Sequence, residues 1–204
     1  MIDTSEGRIA NIAGALLAGG ASTRMGRDKA RLPVAGVAAA TRAARLLDSL
    51  FEEVLIVGGD PPADAPGRRV PDPEGPRCAL RGLVGALEAA RAERVLVVAT
   101  DLPLLSPELL LALVAWPDAE LVALRAAGHI EPLCAIYSRS AALAPACERL
   151  ASGRLALQEL VGQLTLSVLG ADDLRVIDPD GMALANANTP EEWVRIEARL
   201  RGGG

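Results

Sequence analysis

Three short apolar runs constrain this chain more than any other feature: "IAGALLAG" at residues 12–19, "EVLIVGG" at 53–59 and "RVLVVAT" at 94–100. Each is apolar at successive rather than alternate positions, and each is short and bounded by glycine or a turn residue. That is the pattern of strands covered on both faces. Stretches with helical spacing separate them. Residues 36–50 bring Ala40, Ala43, Ala44 and Leu47 to one face, and residues 79–92 do the same for Leu80, Leu83, Val84 and Leu87. Strand–helix–strand order requires right-handed crossovers and a parallel core sheet between helical layers. The fold class is therefore α/β, with three Rossmann-like layers and a mostly parallel central sheet.

Two helix starts are written clearly. Ser106-Pro107 sets a capping hydroxyl before a proline at the first helical position, and Thr189-Pro190 repeats it, with Glu192 completing a capping box. Residues 119–126 and 132–138 read as strands, with Gly128 marking the turn between them. Helices are expected over 139–151 and 154–163. Short strands near 165–169, 175–178 and 183–187 are expected to finish the sheet, antiparallel pairing being one option. With 204 residues and no internal repeat or linker, the chain fits one domain.

Composition narrows the functions available. Aromatic residues are 2% of the chain and the net charge is -5, so neither a stacking platform nor a broad basic footprint for nucleic acid is expected. Cys78, Cys134 and Cys147 form no C-x-x-C pair, which suits small buried side chains and a reducing cytoplasm better than disulfides or zinc. Asp3 and Glu6 against Arg8 give the start the wrong charge for an export signal, and no apolar run reaches membrane-spanning length.

Ligands of open parallel sheets bind beyond the carboxyl ends of the strands. Three groups fall there. The loop "LAGGASTRMGRDK" (17–29) joins Gly19 and Gly20, which let backbone amides approach an anion, to Arg24, Arg27 and Lys29. It lacks the spacing of a G-x-x-x-x-G-K-[ST] loop and of a G-x-G-x-x-G fingerprint. Asp101 follows the strand 94–100 directly, where a carboxylate can hold Mg²⁺ while substrate phosphates fill other positions. Asp72 stands before Pro73 after "RRV"; taken singly, it and Asp101 are each also ordinary turn aspartates. His129 is the sole histidine, sits beside Gly128 and lacks a nucleophile-elbow context, so a surface turn residue is the favoured reading, with a ligand contact as the alternative.

These stretches resemble the molybdenum cofactor guanylyltransferases, the MobA family. "LAGGASTRMGRDK" is similar to its L-A-G-G-x-x-x-R-M-G-x-D-K signature, "ATDLP" (99–103) to its D-x-P motif, and "ANANTPEEW" (185–193) to its N-x-N-T-P-E motif. The resemblance implies a nucleotidyltransferase fold and a reaction in which GTP and molybdenum-bound molybdopterin give the guanine dinucleotide cofactor and pyrophosphate. It implies backbone contacts to the nucleotide from Leu17, Ala18 and Gly19, to which the loop's own pattern adds Gly20. Lys29 would then serve the phosphates, as the loop's charge already suggests for both it and Arg24. Asp72 would serve the nucleotide, Asp101 an Mg²⁺ ion, and Asn186 and Asn188 the pterin side. Residues 9–105 would form the nucleotide part and 106–200 the acceptor part. Contact with proteins that deliver or accept the cofactor would be transient. The chain departs from the family where an Asn commonly follows the second strand, here Gly58-Gly59, and where G-P-L-x-G commonly follows the Asp72 position, here "GPRCALRG". A cytidylyltransferase for the same cofactor, a sugar-phosphate nucleotidyltransferase and a non-catalytic nucleotide-binding adaptor are the rival readings.

Overall fold

The computed structural model describes residues 7–19, 29–185, 187 and 189–202. Its centre is a seven-stranded sheet in the order β5-β4-β1-β6-β8-β7-β9. The first half supplies β1 (Ile9–Leu17), the small antiparallel hairpin β2 (Pro33–Val34) and β3 (Val37–Ala38), then helix α1 (Ala39–Leu50) and β4 (Phe51–Val57). Next come β5 (Arg68–Val70), α2 (Ala79–Ala89), β6 (Arg94–Ala99) and α3 (Pro107–Ala115). The second half adds β7 (Leu121–Ala126), β8 (His129–Ser138), α4 (Arg139–Ala151), α5 (Leu157–Val161), β9 (Leu166–Leu169), α6 (Ala171–Ile177) and α7 (Pro190–Gly202).

Every neighbouring pair in the sheet is parallel except those of β8, which runs against both β6 and β7. Period-two alternation divides each central strand between two cores. Ile12 and Leu16 of β1 and Leu96 and Val98 of β6 pack on one face with α1 and α3. Ala13, Ala15 and Leu17, with Val95 and Val97, pack on the other with α2, α4 and α5. Both helical faces expected from spacing are the buried ones, Ala40, Ala43, Ala44 and Leu47 on α1 and Leu80, Leu83, Val84 and Leu87 on α2.

Both helix starts stand as expected: Ser106 Oγ accepts from the Leu109 amide at 3.3 Å, and Thr189 and Glu192 exchange two capping bonds of 3.0 and 3.2 Å. The tail of the sheet differs from expectation. β9 pairs with β7 in parallel rather than antiparallel fashion. Residues 175–178 are no strand but the end of α6 and its cap, because Asp172 and Asp173 lie in a first turn where the helix dipole favours acids. Residues 183 to 185 and 187 form turns and loop instead of a strand, with the Asp178 carboxylate accepting from the amides of Met182 and Ala183 at 3.1 and 2.9 Å. Among the described residues no helix is long and apolar enough to cross a membrane.

Candidate active site

Strand register builds the site. Leu17 pairs with Val57 and with Ala99, and Val57 pairs with Val70, so the carboxyl ends of β5, β4, β1 and β6 lie level. The residues just past each strand must then share one rim: Ala18 and Gly19, Gly58 and Gly59, Asp72, and Asp101. Backbone bonds lock the rim together, from the Ala18 amide to the Val57 carbonyl and from the Gly58 amide to the Val70 carbonyl, both at 2.9 Å.

Asp72 lies at the junction of three of these ends. A Cβ on Gly58 would fall 2.5 Å from both of its carboxylate oxygens, and one on Gly19 would fall 2.7 Å from Oδ2. Gly58 and Gly59 also adopt φ of 67° and 64°, and a Cβ on Gly59 would strike the Ala18 carbonyl. Each glycine therefore has a steric cause: the Asp72 carboxylate occupies the space into which a residue-58 side chain would grow, and the Ala18 carbonyl bars one at residue 59. A cleft of about 540 Å³ opens here, walled by Gly58, Gly59, Asp60, Arg69 and Asp72, a size common for small-molecule sites. Another, of about 390 Å³, lies between α1 and the segment after β6, lined by Arg42, Arg45, Thr100 and Pro103 among others.

Lys29 opens a single 3-10 turn, Lys29–Arg31, at the far end of the glycine loop. Arg31 pairs with Asp60, tying that end of the loop to the cleft wall. Asp101 sits just past β6 and is partly exposed, and its carbonyl accepts from the Ala187 amide at 3.0 Å. The segment of the third motif thus abuts the second. A small core reinforces this: Val34 and Ala39 pack with Ala187, Trp193 and Ile196, and Leu104 lies against them. Trp193 Nε1 also donates to the Pro33 carbonyl at 2.8 Å. Gly20, Arg24, Asn186 and Asn188 lie outside the described residues.

Glu131 on β8 is half-buried, and burial, then the Asp101 charge, raise its carboxyl above the ordinary range while His129 opposes the shift. Both groups are thus within electrostatic reach of this end of the rim; His129 itself is exposed at the start of β8. Among the described residues no cluster of three or more His, Cys, Asp or Glu side chains could hold a metal. Asp101 nevertheless suits Mg²⁺, which takes one or two carboxylates and draws its remaining oxygens from water and phosphate. Cys134 is fully buried and its thiol is pushed up to about 12 by burial, so it is a packing residue rather than a nucleophile.

Sequence reasoning missed the Arg31–Asp60 tie, the Trp193 strut and Arg81, whose Nη2 donates to Asp72 Oδ2 at 2.8 Å. A cation in the first turn of α2 was the available signal for Arg81, since the dipole there favours acids.

The sequence model of the MobA-like NTP transferase domain matches residues 14–167. A probable molybdenum cofactor guanylyltransferase of Chloroflexus aggregans is 36% identical, over 93% of this chain and 95% of the relative. Another, from Pelotomaculum thermopropionicum, is 33% identical over 89% and 90%. Among solved structures, the molybdopterin-guanine dinucleotide biosynthesis protein A of Archaeoglobus fulgidus superposes with a TM-score of 0.80 at 20% identity, covering 93% of this chain and 99% of that one. With the three-layer sheet, the shared rim and a match across most of its length, this chain belongs to the MobA-like NTP transferase family.

Proposed function

We infer that the chain transfers GMP from GTP to molybdenum-bound molybdopterin, forming the guanine dinucleotide cofactor and releasing pyrophosphate. The observation that carries this reading is the level register of β5, β4, β1 and β6, which brings Gly19, Asp72 and Asp101 to one rim. The names of the curated relatives favour guanine and this acceptor over the rival nucleotidyl transfers.

The attacking group is the phosphate monoester of molybdopterin. Its second pKa is about 6, so an oxygen is already anionic near neutrality and no general base is needed. That oxygen forms the bond to the α-phosphorus of GTP while the bond from the α-phosphorus to the α–β bridging oxygen breaks; the electron pair leaves with pyrophosphate. The barrier is one of anion repulsion and alignment, which fixed charges and amides relieve. Backbone groups of Leu17 to Gly20 hold the nucleotide, and Asp72 accepts a hydrogen bond from it. Arg24 and Lys29 neutralise charge on the phosphates, and Asn186 and Asn188 face the acceptor. Asp101 would hold Mg²⁺, which when bound supplies charge neutralisation on the phosphate oxygens. Residues 9–105 serve the nucleotide and 106–200 the acceptor. The three free cysteines fit a reducing, cytoplasmic setting, and transient contact with cofactor-delivering or cofactor-accepting proteins fits a product passed on to other enzymes.

The test is pyrophosphate release with molybdenum-loaded molybdopterin and Mg²⁺, run separately with GTP, CTP, ATP and UTP. Turnover is expected with GTP well above the other three. Preferential use of CTP would move the protein to the cytidylyl activity, and absence of turnover with all four would leave only a nucleotide binder.

A further inference from the structure

We propose that Arg81 is the positioning residue of the nucleotide site, acting through Asp72 to set affinity for the nucleoside half of the triphosphate; this rests on the functional reading above. Arg81 lies in "GPRCALRG", the segment where the chain departs from its family pattern. It occupies the first turn of α2, and its guanidinium reaches across to the rim. Nη2 donates to Asp72 Oδ2 at 2.8 Å, and Nη1 donates to the Gly75 carbonyl at 3.0 Å. The two side chains are only 13% and 19% exposed. A charge-assisted bond of this kind, in a partly desolvated setting, fixes geometry as well as charge.

Two features are poorly explained by stability alone. The first turn of a helix disfavours a cation. The Arg81 Nε, moreover, is buried with no hydrogen-bond partner among the described residues. Both costs are accepted in return for a carboxylate held in one place. The surroundings give Asp72 little other freedom: Gly19 and Gly58 crowd it on the rim side. Behind it, Pro73 packs on α2 where a Cβ on Gly85 would stand 2.9 Å from its Cδ.

The arrangement has a chemical consequence. With Oδ2 occupied by the guanidinium, Oδ1 accepts from no described residue and is the oxygen left for a ligand. An ionised carboxylate takes a hydrogen-bond donor or a cation; with Mg²⁺ assigned to Asp101, the partner expected at Asp72 is a donor, a ribose hydroxyl or an N–H of the base, rather than an ionised phosphate. Arg81 would then govern how tightly the nucleoside is held, with little direct influence on the transferring phosphorus.

Calorimetric titration with GTP and Mg²⁺, in the absence of acceptor so that no turnover occurs, tests this in the wild type, Arg81→Ala, Arg81→Lys, Asp72→Asn and the double variant Arg81→Ala/Asp72→Asn. The expected result is roughly tenfold weaker GTP binding in Arg81→Ala, the scale of one lost hydrogen bond to a charged group. Arg81→Lys should recover part of it, and Arg81→Ala should add less than about twofold once Asp72 is already Asn. Guanosine should show the same dependence as GTP. Unchanged affinity in both Arg81 variants would overturn the proposal, as would a full further loss from Arg81→Ala in the Asp72→Asn background. A loss seen with GTP but not with guanosine would overturn it in favour of a direct phosphate contact. If the wild type bound another nucleotide in preference to GTP with the same Arg81–Asp72 coupling, guanine specificity would fail and the positioning role would stand. Binding of no nucleotide would sink both.

Discussion

At the scale of single residues, the site separates groups that hold the fold from groups that face the reaction. Asp101 is a strand-end carboxylate, partly exposed, and its backbone carbonyl is committed to Ala187. Asp101→Asn should therefore leave the melting temperature nearly unchanged while abolishing most turnover, because a hard cation needs the charge that the amide lacks. Steady-state rates beside a melting curve check this, and near-normal rates at ordinary Mg²⁺ would place the metal elsewhere. In the proposed reaction Lys29 would meet the charge that builds up on departing pyrophosphate. Removing one such preorganised partner costs on the order of 10²–10³ in rate, so Lys29→Ala should lower the catalytic constant far more than it weakens GTP binding. Single-turnover rates measured beside binding affinity decide the matter; weakened binding with an unchanged bound-state rate would assign the catalytic role to Arg24. Lys29→Arg should rescue only partly, since a planar fork does not reproduce a compact ammonium.

At the scale of elements, α4 is capped twice: Ser138 Oγ accepts from the Ala141 amide at 3.4 Å, and a carboxylate from far away in sequence adds to it. Glu93, just before β6, accepts from Ser140 Oγ at 2.5 Å, from the Ser140 amide at 2.9 Å and from Ser138 Oγ at 3.0 Å. The Ser140 hydroxyl, together with its amide, holds the Glu93 carboxyl below its ordinary value of 4.5. The folded state thus favours the ionised form. Its contribution is complete above the ordinary value and is lost as pH falls through the lowered one. Glu93→Gln should cost roughly 1 kcal/mol or less at pH 7, the carboxylate being exposed and screened. That corresponds to about 2–4 °C in melting temperature for a chain of this size. Melting curves across pH check the sign: the gap between variant and wild type should close on acidification, and a gap that widened would refute the capping role.

At the scale of the molecule, the two halves of the chain meet through a strut that neither half contains alone. Trp193 of α7 is buried against Val34 and Ala39, and its indole donates to Pro33. The same small core includes Ala187 beside the Asp101 loop. Trp193→Ala should cost about 3–5 kcal/mol locally, releasing α7 and the β2–β3 hairpin while the two cores on either side of the sheet persist. Hydrogen exchange should show protection lost over residues 33–38 and 190–198 and kept in β1, β4 and β6. Global loss of protection would mean that the strut belongs to the main cores.

Period and punctuation made much of this legible before any contact was known. Runs of β-branched and aliphatic residues marked β1, β4 and β6; spacing marked the buried faces of α1 and α2; Ser106-Pro107 and Thr189-Pro190 marked two helix starts. These are local properties, set by backbone geometry and by which side chains can share a face. The ends of β1 and β6 also marked Gly19 and Asp101, and the short stretch "RRV" marked Asp72, since a parallel sheet gathers the loops at its carboxyl ends along one edge. Tertiary structure decided the features that depend on partners distant in the chain. The parallel pairing of β9 rests on β7; the helical state of residues 175–177, by contrast, had a local signal in Asp172 and Asp173 of the same helix. Gly58 after β4 has its cause in a carboxylate more than ten residues away, itself held by an arginine on the next helix, and Gly59 in the Ala18 carbonyl past β1. A side chain's local sequence limits the conformations it can adopt; only the packed molecule supplies the opposite charge, the steric wall and the hydrogen-bond partner that choose among them.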